Sequence, residues 1–213
     1  MTRSFQSGTR YFLAFIIGTL AFILVFVIAY SISYIEYQRI SNLQSNLAYS
    51  IFEDKISYSF FGIDICSDDS YKRVSEDLGF QGRIIDDLEK KFGKNDAQVL
   101  LRKKFYTLVL LEHFEFVNER NRECDTNIHT ILFFYSNKEE YGRKSENIGR
   151  ILGYISEQYG DLVIYSFDTD LDSPLVSMLK DKYNIERPVE LIIDGSFKVS
   201  EVNHVNDIEK YLK

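Results

Sequence analysis

The 213-residue chain has no tryptophan, two prolines, two cysteines and three histidines. With so little proline and only eleven glycines, there is little material for long flexible linkers, so the chain reads as packed elements. The histidines (His113, His129 and His204) stand in no metal-ligand spacing. HFEF around His113 lacks the two-histidine pattern of a zinc helix, and His113 is read as a surface or packing residue. There is no glycine-rich phosphate loop and no nucleophile elbow. Asp168, Asp170 and Asp172 alternate without the glycine and distal glutamate of a calcium loop. No cofactor and no metal is expected.

Basic patches are also scarce. The net charge is −7 and lysines and arginines are interleaved with acids, which argues against a general nucleic-acid binder. The densest basic cluster, Arg102-Lys103-Lys104, is read as a solvated helix face. With 45% hydrophobic and 27% charged residues the composition is that of a globular protein. Fifteen tyrosines and seventeen phenylalanines supply the large core fillers that tryptophan does not.

The longest uncharged run is Tyr11 to Ile35, YFLAFIIGTLAFILVFVIAYSISYI. As a helix it would extend roughly 37 Å, against a hydrocarbon core of about 30 Å. Tyr11, Tyr30 and Tyr34 fall where interfacial aromatics belong. Arg3 and Arg10 precede the run and Glu36 follows it, which places the N-terminus in the cytoplasm and residues 36–213 outside. Ala29-Tyr30-Ser31 resembles a cleavage site, but the apolar core exceeds the usual signal-peptide length, so an anchor in the bilayer is preferred.

Four regions follow: 1–10 cytoplasmic, 11–35 transmembrane, 36–125 helical and membrane-proximal, and 126–213 α/β. Ile40, Leu43, Leu47 and Ile51 recur at helical spacing, and Phe60-Phe61-Gly62 closes that stretch. A second helix carries Val74, Leu78, Ile85 and Leu88 and ends at Gly93. A third covers about Ala97 to Arg122 with a stripe wide enough to be buried on two sides. From residue 128 the period changes to strands at 128–135, 162–167, 189–193 and 197–202, with Gly195-Ser196 as the last turn. Helices fall between the first three strands, the one at 173–183 capped by Ser173 and Pro174, and a final helix at 205–212 closes the chain. The order is β-α-β-α-β-β-α.

That order, together with the run LVIYSFDTDLDSPLVSMLKDKYNIERPVELIIDGSF, resembles the thioredoxin fold over residues 126–213. The resemblance implies that helix 97–122 serves as the fold's first helix and that Pro188 is a cis-proline beginning the strand beside the active site. It also implies a binding groove between the 136–141 loop and the proline loop, made of Ser136, Asn137, Lys138, Tyr141, Arg187, Pro188 and Val189. Where thioredoxins carry Cys-x-x-Cys at a helix N-terminus, this chain has Ser136-Asn137-Lys138-Glu139, without a thiol. The proline loop is also a residue shorter than the family pattern.

The two cysteines, Cys66 and Cys124, lie outside that region or at its edge. In an extracytoplasmic domain an even count of two suggests a structural disulfide; free thiols are the alternative. Acidic neighbours (Asp64, Asp68, Asp69, Glu123, Asp125) work against a reactive thiolate. Three functions compete: a non-catalytic module binding a peptide or protein partner, a thiol-disulfide oxidoreductase using Cys66 and Cys124, and a structural subunit forming homo- or hetero-oligomers. Gly18, Thr19 and Ala21 would allow close helix approach in the third.

Overall fold

The structure, a computed structural model, describes residues 10–35, 38 and 64–212. It divides into two compact units, Met1–Leu47 and Ala48–Lys213. The expectations at Arg3, Glu36, the stripe Ile40, Leu43, Leu47 and Ile51, and the Phe60-Phe61-Gly62 stop lie outside the described residues.

In the first unit, α1 (Arg10–Ile35) is a helix of 26 residues whose apolar side chains are exposed along its length. It extends about 39 Å and is, among the described residues, the one helix long and apolar enough to cross a membrane. The Thr19 and Ser31 hydroxyls donate to Phe15 O and Val27 O at 2.9 and 2.8 Å, so these polar groups are satisfied by the helix itself.

The second unit opens with a helical hairpin, α2 (Asp68–Phe92) and α3 (Ala97–Glu123). Gly93 ends α2 in a left-handed conformation (φ 90°) that costs a glycine little, and its N–H bonds Glu89 O. Asp96 starts α3, its carboxylate accepting the Gln98 and Val99 amides at 2.9 and 3.2 Å. The far ends of the hairpin meet at a Cys66–Cys124 disulfide with a Cα–Cα distance of 5.4 Å. Beside it Arg120 donates to Ile65 O (2.7 Å), Ser67 O (3.0 Å) and the Asp68 carboxylate (2.5 Å).

The sheet comprises β1 (His129–Tyr135), β2 (Leu162–Asp168), β3 (Glu190–Ile193) and β4 (Phe197–Val199) in the order β2-β1-β3-β4. β1 and β2 run parallel (His129↔Leu162 to Tyr135↔Asp168), while β3 is antiparallel to β1 and β4 to β3. Helix α4 (Glu139–Gln158) makes the β1–β2 crossover, α5 (Pro174–Lys182) leads to β3, and the four-residue α6 (Asn206–Glu209) closes the chain, shorter than expected. One face of the sheet buries Ile131, Phe133, Leu191 and Ile193 under Ile148, Leu152 and Ile155 of α4 and Ile208. On the other face Tyr165 packs on His113 and Phe114 of α3.

α3 therefore packs against α2 on one side and against the sheet and α5 on the other, which accounts for its wide apolar stripe. Packing runs through the boundary drawn at residue 125: the Asn121 side chain bonds both the N–H and the C=O of Ile128 (2.9 and 2.8 Å). The two-sided burial also overturns the reading of Arg102-Lys103-Lys104 as a solvated face, since Arg102 and Lys103 are 1% and 5% exposed. Arg102 Nη2 donates to Gln81 Oε1 at 3.2 Å, and its other two nitrogens have no partner among the described residues.

Two details differ from the sequence expectation. The β3–β4 turn spans Asp194, Gly195 and Ser196, one residue more than Gly195-Ser196, and its first two residues have positive φ (48° and 65°). A turn of this hand matches strand twist, and Asp194 holds it by accepting from Thr130 N and bonding His129 Nδ1, both at 2.8 Å. Pro188 is not cis: no cis peptide bond occurs among the described residues. The Glu190 carboxylate holds its loop by accepting the Glu186 and Arg187 amides at 3.1 and 3.4 Å, and a trans bond is the lower-energy form even before proline.

Replacing both Cys66 and Cys124 by serine removes a bridge between residues 58 apart. The chain-entropy model assigns such a bridge about 4 kcal/mol. Urea unfolding of the double variant is expected to show that loss with native secondary structure kept. Stability equal to the parent's would mean that the bridge does not constrain the unfolded chain.

Candidate functional site

Parallel strands β1 and β2 end side by side. The chain leaves β1 into α4 on one face and leaves β2 toward α5, beside α3, on the other. The crevice outside such strand ends is where an α/β sheet places ligands.

At the β1–α4 junction the polar groups are bound internally. Ser136 is fully buried; its N–H donates to Ser145 Oγ (3.1 Å), whose hydroxyl donates to Ser136 O (2.8 Å). Asp170 accepts the Ser136 hydroxyl at 2.8 Å and the Asn137 amide at 2.9 Å, and pairs with Lys138 at 3.3 Å. Burial acts to raise the Asp170 pKa, but these three donors hold it below the ordinary aspartate value. The backbone amide that Asp170 takes belongs to Asn137, just before the α4 N-cap Lys138.

The expected groove is only partly assembled. Lys138 and Arg187 are exposed, Asn137, Tyr141 and Pro188 half-buried, and Ser136 and Val189 buried. The two loops meet through Thr169, whose hydroxyl bonds Tyr135 O (2.9 Å) and Pro188 O (3.2 Å). Glu190, buried in β3, takes the Ser200 hydroxyl at 2.6 Å as well as the Arg187 and Glu186 amides. Burial would raise its pKa, yet these donors keep it below the ordinary value. The backbone beside Pro188 is thus occupied by the protein's own carboxylate.

The strongest electrostatic feature lies behind Asn137. The Lys103 ammonium is buried between Glu89 Oε1 (2.9 Å) and the Asp168 carboxylate, with the Tyr135 ring 5.5 Å away. Asn137 donates to the same Asp168 oxygen at 2.9 Å and accepts from Lys94 at 3.0 Å. Burial alone would lower the Lys103 pKa; Tyr135, Asp168 and Glu89 reverse this and raise it. Burial also raises the Tyr135 pKa. A recess of about 220 Å³ lined by Asp86, Glu89, Lys103, Tyr106, Tyr135 and Asp168 opens here. A second, of about 260 Å³, shares Asp86, Glu89 and Tyr135 and adds Asn137, Gly142 and Glu146.

Sequence reasoning missed this centre because its members are distant in the chain. The available signal was position: Val99, Lys103, Tyr106 and Leu110 recur at spacings of three and four, which puts the lysine on the apolar stripe of α3.

His113 is a packing residue and is fully buried. Its Nδ1 bonds Tyr165 Oη (2.8 Å) and its Nε2 bonds Ser75 Oγ (3.0 Å). Tyr165 and Ser75 thus take up both ring nitrogens, and Ser75 also hydrogen-bonds Tyr71. Cys66 and Cys124 sit at the opposite end of the sheet: Cys124 precedes β1 and Ser136 follows it, a strand length of roughly 20 Å. Among the described residues no group of three or more His, Cys, Asp or Glu is arranged to hold a metal ion.

No family model matches the chain, and neither a curated protein nor a solved structure matches it.

Two measurements probe these centres. Lys103→Met leaves Glu89 and Asp168 facing each other without their cation, and is expected to cost about 3–5 kcal/mol in urea unfolding. Adding Glu89→Gln and Asp168→Asn to it should restore most of that; a Lys103→Met variant of parental stability would refute the bridging role. His113, neutral in the fold with a pKa lowered from 6.5 to about 4, sets a pH dependence. The unfolded chain takes up a proton below pH 6.5 that the native state refuses, so stability falls as pH drops from about 6.5 to about 4, by about 3 kcal/mol in all. His113→Gln is expected to lose that part of the slope in pH-dependent thermal unfolding, and an unchanged slope would assign it to other groups.

Proposed function

We propose that this protein is a membrane-anchored, thioredoxin-like module without thiol chemistry that binds a peptide or protein partner on the extracytoplasmic side. The strand order β2-β1-β3-β4 and the element order β-α-β-α-β-β-α support the thioredoxin-like reading, with α3 in the place of the fold's first helix. Arg10 at the start of α1 and the Cys66–Cys124 disulfide support the placement outside the cytoplasm, since such bonds persist in oxidising compartments.

One observation carries the non-catalytic reading. The β1–α4 junction holds no sulfur, and its Ser136 hydroxyl and Asn137 amide are bound by Asp170. A dithiol exchange has no thiol nucleophile there, and both cysteine sulfurs are joined a strand length away. The fold's open strand ends serve for binding instead, and the half-buried Asn137 marks the accessible part of the junction.

Three readouts on the full chain test this. Purified protein is expected to show no turnover in insulin reduction. Membrane-impermeant thiol labelling of intact cells should modify Cys66 and Cys124 only after reductant. A photo-crosslinking amino acid at position 137 should yield a discrete polypeptide adduct in native membranes. Reductase turnover, or a position-137 probe that captures nothing, would overturn the proposal.

A further inference from the structure

The two edges of the sheet differ in how they are guarded. An unpaired edge strand presents a row of amides and carbonyls to any extended chain, and soluble proteins blunt it by shortness, charge, proline or a bulge. The β4 edge is three residues long and carries the exposed Lys198. The β2 edge is seven residues long, uncharged from Leu162 to Phe167, without proline, and in unbroken register with β1. Among the described residues β1 is its one strand neighbour.

Two hydrogen bonds fix which groups of β2 face outward. His129 N donates to Asp161 O and Thr169 N to Tyr135 O, both at 2.8 Å. The odd-numbered residues from Asp161 to Thr169 therefore face β1. By the alternation of a strand, Leu162, Ile164 and Ser166 turn their N–H and C=O away from it. Leu162 and Ile164 are half-buried and Ser166 is exposed.

The surroundings leave a line along this edge for an extended segment. On one face of the sheet α2 stands beside the edge: Tyr71 packs with Val163 on the Phe116, Val117 and Ile128 cluster, and Ile85 lines a recess with Ser166. On the other face Gly142, which shares the second recess with Ser166, lies on the same flank of α4 as Gly149 and Gly153. A Cβ built at any of the three meets nothing within 4 Å. Packing among the described residues thus gives no reason for glycines that weaken the helix relative to alanine, whereas a bare flank beside an open strand does. Two β2 edges joined antiparallel about a two-fold axis would bring both α2 helices onto the same line, so the occupant is an extended segment and not a second copy.

We propose that the free edge of β2 is the line on which the partner docks, an extended, uncharged segment of the partner polypeptide adding to the sheet as a further strand; this rests on the binding function proposed above. Its main chain bonds Leu162, Ile164 and Ser166, and its side chains on the α4 face lie over the glycine flank. The segment is uncharged because β2 offers it no charged cross-strand neighbour from Leu162 to Phe167.

The probe is a blocked pentapeptide, acetyl-Thr-Val-Thr-Val-Thr-amide, titrated into isotope-labelled full-length protein in nanodiscs, with the same peptide N-methylated at every residue as control. The unmethylated peptide is expected to give saturable NMR shifts and slower hydrogen exchange at the Leu162, Ile164 and Ser166 amides, and the methylated one neither. Ser166→Pro removes one outward N–H and leaves the ladder to β1 intact, so it should keep the thermal midpoint and weaken the peptide about tenfold. Gly149→Leu, whose side chain enters open space on the flank, should weaken it as well. Equal responses to both peptides, or undiminished affinity in either variant, would overturn the docking line. In native membranes the position-137 adduct should disappear in Ser166→Pro. An adduct that persists there would remove the docking line and leave the binding function standing, and an adduct made of two copies of this chain would overturn the choice of occupant. Peptide shifts without any adduct in the parent would leave an open edge and remove the polypeptide partner.

Discussion

The buried Lys103 ammonium is the constraint around which the second unit is arranged. A cation withdrawn from water costs several kcal/mol unless charge and hydrogen bonds replace its hydration. Here they come from three different elements: Glu89 on α2, Asp168 at the end of β2 and Tyr135 at the end of β1. Lys103 itself belongs to α3, so a single point charge fixes the helical hairpin to the end of the sheet at which the candidate site lies. Asp168 passes the constraint on through Asn137 to the start of α4.

The opposite end of the hairpin is fixed by different means. The Cys66–Cys124 bridge and the Arg120 guanidinium close it together, and Arg120 also lies 5.2 Å from the Tyr71 ring. Between the two ends, the Tyr165–His113–Ser75 chain crosses from β2 through α3 to α2. The hairpin is therefore joined to the sheet by polar contacts at depth as well as by apolar packing. Buried polar contacts of this kind tolerate few alternative registers, because each unsatisfied partner is costly.

These constraints shape what the site can do. Asp170 and Glu190 take backbone amides beside the β1–α4 junction and in the proline loop. The recesses lie on the other side of Asn137, lined by α2, α4 and the end of β1.

The amino-acid sequence by itself determined the elements that rest on local periodicity and composition. The uncharged run became α1, the change of period at residue 128 marked the first strand, and Gly93 and Asp96 punctuated the two long helices. The partners of any internal bridge, Cys66 and Cys124, also followed, because two cysteines permit only one; that they are bonded and not free thiols is a feature of the tertiary structure. Tertiary structure alone decided the rest. Arg102 and Lys103 look solvated in a charged tripeptide, and only packing on two sides buries them. The loop before Pro188 is held by Glu190 reaching back to Glu186 and Arg187, and the recess is lined by α2 and α4 together. Periodicity reports which face of an element is apolar; it carries no information about which distant charge that face will meet.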